Sequence, residues 1–227
     1  MTGGGAVAIL PPVEISFLGH SCFRLKGKDA VLLADPFDPS LGYPWPNPQA
    51  DIVTISHPHP GHSYGVGVGG DPRIIQGPGE YETKGVFVMG LATYHDGEQG
   101  KKLGRNTIYL VEMDDVRVLH LGDLGHPLPS EVVGELGRVD LLLVPVGGGS
   151  AMGARAAAGL VRALEPRVVI PMHYRTEKGG ASLEPVVAFL KEMGAEEAVP
   201  QPRLSISRVS LPAETRLILL DYRRYTS

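Results

Sequence analysis

Residues 56–63, SHPHPGHS, place His57, His59 and His62 within a six-residue span. On an irregular loop, His57 and His59, two apart, can converge on one metal ion while His62 turns toward a neighbouring one. Three further groups of metal-ligating type, His95, Asp123 and His173, each follow an apolar run: VMGLATY, VRVLHLG and RVVIPM. Imidazole nitrogens with one carboxylate suit Zn²⁺ best among common ions, with Mn²⁺ and Fe²⁺ as competitors, at one or two ions per chain. A catalytic site of this kind keeps one coordination position open for water, whose pKa then falls to about 7. Hydroxide is then available as a nucleophile at neutral pH.

The elements that must position these groups are read from the apolar pattern. Runs such as VEISFLG, CFRLK, AVLLADP, DIVTISH, GVFVMG, NTIYLVEM, VRVLHLGD, VDLLLVPV and RVVIPMH, separated by turn residues, predict strands. Helical periodicity appears at 130–136, 153–164 and 182–193, with Ser130 and Ser182 as N-caps and Pro166 as a stop. Strands followed by strand–helix alternation predict an α/β fold, two sheets packed face to face with helices outside. The candidate ligands then fall where strands end, the edge at which such folds gather binding groups. The segments GPGEY (77–81) and GGG (147–149) lack the glycine spacing and lysine of a phosphate loop and read as tight turns.

Composition narrows the class. The chain of 227 residues is 43% hydrophobic, enough for a single domain over 1–227, with residues 1–12 as a loose leader or first strand. A net charge of −4 and scattered arginines leave no basic footprint, so nucleic acid is not an expected partner. The lone Cys22 excludes an internal disulfide and reads as a small buried side chain in a reducing compartment. No stretch reaches the roughly 20 apolar residues of a membrane span, so a cytoplasmic protein is expected.

In the order HPHPGH, YHDG, HLGD and PMHY, the chain resembles the metallo-β-lactamase superfamily. More narrowly, FLGHSCFRL, LLADPF, GPGEYE, HLGDLGH and LLVPVGG resemble the small metal-dependent hydrolases that include the L-ascorbate-6-phosphate lactonases. The resemblance runs over residues 15–176 and implies a four-layer αββα sandwich with a two-metal site between the sheets, in a branch that often forms homo-oligomers. It implies that His57, His59 and His95 hold the first metal, that His62 and His173 hold the second, and that Asp123 bridges both. Asp123 and His173 are thereby also the residues expected to take part in catalysis. Asp35, in ADPF, matches an acidic motif that supports the loops more than it binds metal, and His20 is expected to support a ligand or Asp35 rather than to ligate.

Gly61 departs from the pattern, which has an aspartate immediately before the last histidine of the cluster. A glycine there implies a weakened second site and a loss of water positioning, worth about 10²–10⁴ in rate. Three readings follow: a hydrolase with one tight and one loose metal, a hydrolase in which Asp96, Glu80 or His126 replaces the aspartate, and a metal-binding relative with little activity. A metal-dependent nuclease is a further alternative, disfavoured by the acidic balance. For a small, anionic substrate, Tyr174 and Arg175, directly after His173, and Asn106 and His126 are the candidate binding residues, the guanidinium suiting a carboxylate or phosphate. His120, inside a strand run, reads as a packed residue, and Trp45 as a cover for the site or a subunit contact.

Overall fold

Uninterrupted apolar runs become the buried centres of two sheets in the computed structural model, which describes residues 10–224. The first sheet holds β1 (Val13–Gly19), β2 (Cys22–Lys26), β3 (Val31–Ala34), β4 (Ile52–Ile55) and β5 (Arg73–Gln76). The second holds β6 (Gly79–Thr83), β7 (Val86–Tyr94), β8 (Arg105–Met113), β9 (Val116–His120), β10 (Leu141–Pro145) and β11 (Val168–Met172). Late in the chain, β12 (Leu204–Ile206) joins the first sheet beside β1, and β13 (Arg216–Leu217) joins the second beside β11. The strand orders are β12-β1-β2-β3-β4-β5 and β13-β11-β10-β9-β8-β7-β6. Strands β4, β10 and β11 are buried at every position, as parallel strands covered on both faces are.

Strand direction decides where the loops meet. In the first sheet β1 and β3 both run antiparallel to β2, and β4 runs parallel to β3, so all three end at one edge. In the second, β7 and β9 run antiparallel to β8, while β10 and β11 are parallel to β9. His20, Asp35 and His57 follow the first three of these strand ends; His95, Asp123 and His173 follow β7, β9 and β11. Facing sheets therefore bring six side chains, far apart in sequence, to one rim.

The helices are α1 (Ser130–Leu136), α2 (Ala154–Leu164) and α3 (Val187–Glu192), which follow β9, β10 and β11 in turn. Their presence with two mixed sheets makes the α/β sandwich expected from the sequence, although residues 10–129 contribute strands and 3₁₀ turns but no α-helix. Helix α2 buries Ala157, Ala158, Val161 and Leu164, the spacing of one helical face. It ends at Glu165, in the left-handed conformation just before Pro166, as expected.

Several local expectations differ. Pro129, not Ser130, caps α1, and α3 begins at Val187 because Pro185, bridged to Arg175, holds the preceding residues out of the helix; neither helix has a side-chain cap. GPGEY is only partly a turn: Gly79 onward is strand β6, at the sheet edge. Trp45 donates to the Gly67 carbonyl and packs on Phe37 and Tyr64, within its own loop region rather than over the site. Cys22 is buried and free. The expectation for residues 1–9 lies outside the described residues, and Leu10–Pro12 are exposed coil. Among the described residues, no helix is long and apolar enough to cross a membrane.

Candidate metal centre

Asp123 is the hub. Its Oδ2 lies 3.2 Å from His62 Nε2, 3.2 Å from His173 Nε2, 3.3 Å from His95 Nε2 and 3.9 Å from His57 Nε2. All five residues are buried. The adjacent Gly122 adopts φ +54°, and a β-carbon there would stand 2.4 Å from Asn106 Oδ1, so glycine is required to bring the Asp123 loop this close. Asn106 Oδ1 in turn accepts from the Asp123 amide at 3.1 Å.

Hydrogen bonds fix which imidazole nitrogens are free. The Asp35 carboxylate can only accept, so His62 donates through Nδ1 (2.7 Å) and Ser56 through its hydroxyl (2.6 Å). With its proton so used, Ser56 Oγ accepts from His57 Nδ1 at 2.9 Å. His95 Nδ1 donates to the Ser150 carbonyl at 2.7 Å. In all three rings Nδ1 carries the proton, and Nε2 turns a lone pair toward Asp123. A lone pair facing a carboxylate oxygen is repulsive unless a cation or a proton lies between them. His57 Nε2, His62 Nε2 and Asp123 Oδ1 are buried without a hydrogen-bond partner, which fits a donor set built for metal ions.

Without a metal, protons fill that role unequally. Burial, then the neighbouring His62, push His57 down to about 3. For His62, burial works in the same direction, but the Asp123 and Asp35 carboxylates overcome it and raise the group to about 10. Burial would raise Asp123, yet His62 and His173 hold it well below the usual carboxylate range.

His57, His59 and His62 form one possible ligand group, His57, His95 and Asp123 a second, and His20, His62 and His173 a third; the ligand atoms within each lie within 4.8 Å of one another. His59 stands exposed at the rim, and its Nδ1 accepts from the Gly61 amide at 3.2 Å. The six residues named from the sequence are thus brought together. His20, expected to brace a ligand or Asp35, instead stands among the ligand nitrogens, its ring 5.0 Å from His62 and 4.5 Å from His173. Of the candidates to replace an aspartate at 61, Asp96 spends both oxygens on the amides of Glu98, Gly100, Lys102 and Leu103, bonds that bring it down to about 2 against the effect of burial. Glu80 is exposed on β6. His126 accepts from the Tyr94 amide and donates to the Pro127 carbonyl.

A cavity of about 720 Å³ opens onto the centre. The four residues expected to contact substrate are not in its wall. Tyr174 and Arg175 line a separate hollow of about 210 Å³, beyond the left-handed turn at His173 (φ 50°). Asn106 is buried beneath Asp123, bonded to Thr93 and the Leu121 carbonyl. The wall is formed instead by Leu41, Tyr43, Leu103, Leu183 and Arg105, the last its one permanently cationic side chain among the described residues. Arg105 had a legible signal: it opens the NTIYLVEM strand on the side facing the His95 loop.

Known proteins are similar to this chain in sequence and fold. The beta-lactamase superfamily domain matches residues 14–173. The UPF0173 metal-dependent hydrolase PH1671 of Pyrococcus horikoshii is 32% identical over 202 residues, covering 72% of this chain and 85% of its own. The crystal structure of tm0207 from Thermotoga maritima, a metallo-beta-lactamase superfamily protein, superposes with a TM-score of 0.75 at 36% identity, covering 92% of this chain and 98% of its own. Igni18, a metallo hydrolase of Ignicoccus hospitalis, shares the fold with a TM-score of 0.60 at 21% identity, covering 86% and 97%.

Proposed function

The chain belongs to the metallo-β-lactamase superfamily and its UPF0173 metal-dependent hydrolase family, and on that footing we propose that it hydrolyses a small, negatively charged ester, lactone or phosphoester. The observation that carries this reading is Asp123 Oδ2, set within 3.2–3.9 Å of four histidine nitrogens at the floor of a cavity. His57, His59 and His95 would hold one divalent ion, His62 and His173 another, with Asp123 between them; nitrogen-rich ligands favour Zn²⁺ over Mn²⁺ or Fe²⁺ at cellular availability. When bound, such ions supply Lewis acidity and an activated water at neutral pH.

The remaining work falls to the chain itself. Arg105 would pair with the negative group of the substrate, and Leu41, Leu103 and Leu183 would hold its apolar part and exclude bulk water. Asp96, by binding four amides of its own loop, holds Leu103 and the start of β8 in place. Within the substrate classes, the lactonase-like motifs favour a lactone. One arginine is too little charge to track a polymer backbone, so a nucleic-acid substrate finds no support. The free Cys22 fits a reducing compartment, the cytoplasm.

The test is hydrolysis of a lactone, a carboxylate ester and a phosphodiester by metal-stripped protein and by protein reloaded with Zn²⁺, Mn²⁺ or Fe²⁺. Turnover that appears only on reloading, and favours anionic substrates, is expected. Full metal occupancy with no turnover on any of the three would contradict a hydrolase and favour the metal-binding relative.

A further inference from the structure

We propose that His20 is a direct ligand of the ion held by His62 and His173, and that glycine at position 61 is present because it admits the His20 ring. The proposal rests on the metal-centre reading above and completes it. The ligand nitrogens of His20, His62 and His173 lie within 4.8 Å of one another, and all three side chains are buried. His62 is oriented by Asp35, and both His62 and His173 present Nε2 to Asp123 at 3.2 Å.

Position 61 explains how the third ring enters. A β-carbon on Gly61 would stand 2.6 Å from His20 Nε2, closer than a β-carbon approaches another atom, and 3.0 Å from its Cδ2, so the His20 ring would have to move off its place. Gly61 is not in the left-handed region that calls for glycine, so its backbone does not require that residue. What glycine uniquely supplies is empty space, and the coordinating edge of His20 fills it. Any side chain at 61 and the His20 ring are therefore alternatives for one place beside the ion. The resemblance leads one to expect a carboxylate at 61; here an imidazole from the β1–β2 turn would stand in its stead.

The backbone around His20 is arranged at a cost. His20 (φ 55°) and His173 (φ 50°) both adopt the left-handed conformation, which is strained for a non-glycine residue. The His173 amide donates to the His20 carbonyl at 2.8 Å, locking the two strained residues together. Such a pairing holds two imidazoles 4.5 Å apart against a third, a geometry suited to a shared cation. With three imidazoles and one shared carboxylate, the site should take Zn²⁺ in preference to Mn²⁺.

The test is a double-mutant cycle on the full-length, metal-stripped protein, titrated with Zn²⁺ by equilibrium dialysis. His20→Gly removes the ring and relieves the backbone strain; Gly61→Ala adds one methyl group and leaves every ligand intact. Wild type should bind two ions. Each single variant should keep one ion at unchanged affinity, with the other weakened, at least about 100-fold in His20→Gly. In the His20→Gly background Gly61→Ala should cost nothing more, and Gly61→Asp should restore the lost affinity. Thermal unfolding of the metal-free variants checks that each is folded. Two ions bound by His20→Gly with unchanged affinities, or a neutral Gly61→Ala, would overturn the role of His20 while leaving the metal centre standing. A wild-type protein that binds no ion would overturn the metal centre itself, and His20 with it.

Discussion

Asp35 touches no solvent and no ligand cavity, yet it sets the orientation of one histidine on each side of Asp123. It receives His62 directly and His57 through Ser56. Asp35→Asn keeps the volume but replaces an acceptor oxygen by a donor, so metal affinity should fall about 10–100-fold; competition with a chelator measures it, and an unchanged affinity would refute the relay. His62, raised to about 10 by its two carboxylates, keeps its proton at neutral pH in the metal-free protein. Metal must expel that proton, so binding should acidify a weak buffer and tighten as pH rises from 7 toward 10. A pH-independent affinity over that window would show that the ion bypasses His62. Six of the eight histidines could be picked out as site residues or their supports from the sequence, because each sits in the dense 56–63 cluster or beside a strand end. The place of His20 among the ligands was not legible, since it depends on a missing β-carbon 41 residues away. Tyr174 and Arg175 were misplaced for a local reason: they directly follow His173, but the left-handed turn there sends them to another hollow.

Among the elements, β8 ties the two sheets together through one side chain. The Tyr109 hydroxyl donates to the Ile55 carbonyl at the end of β4 and accepts from the Gly77 amide, both at 2.9 Å. Tyr109→Phe leaves a buried carbonyl unpaired and should cost about 1–3 kcal/mol, read from urea unfolding, with metal stoichiometry unchanged. A variant as stable as wild type would show that the bond is dispensable. Strands such as β10 and β11 were legible because burial on both faces forces an unbroken apolar run. Strands β5, β6, β12 and β13 were not: each has two to five residues, lies at a sheet edge and alternates too briefly to stand out from a loop. The serine caps failed because Pro129 and the Arg175–Pro185 bridge define where α1 and α3 begin.

As a whole molecule, the chain closes two sheets on a rim whose buried carboxylates and imidazoles suit cations, so metal should stabilise the fold by mass action. At 100 times the dissociation constant the gain is about 2.7 kcal/mol, and a chelator should lower Tm accordingly; an unmoved Tm would deny coupling between metal and fold. Arg105, the permanently cationic side chain on the cavity wall, should govern recognition of anions. Arg105→Gln should raise KM for a charged lactone while leaving kcat and neutral substrates little altered; equal losses on both would show that the arginine is structural. Asp123 is expected to lie between two ions. The most direct measurement is anomalous diffraction at the zinc edge from crystals grown with Zn²⁺, with zinc per chain counted by plasma mass spectrometry. Two peaks flanking the Asp123 carboxylate, with two zinc ions per chain, are expected; a single peak away from Asp123, or no zinc, would rule out a two-ion centre at this carboxylate.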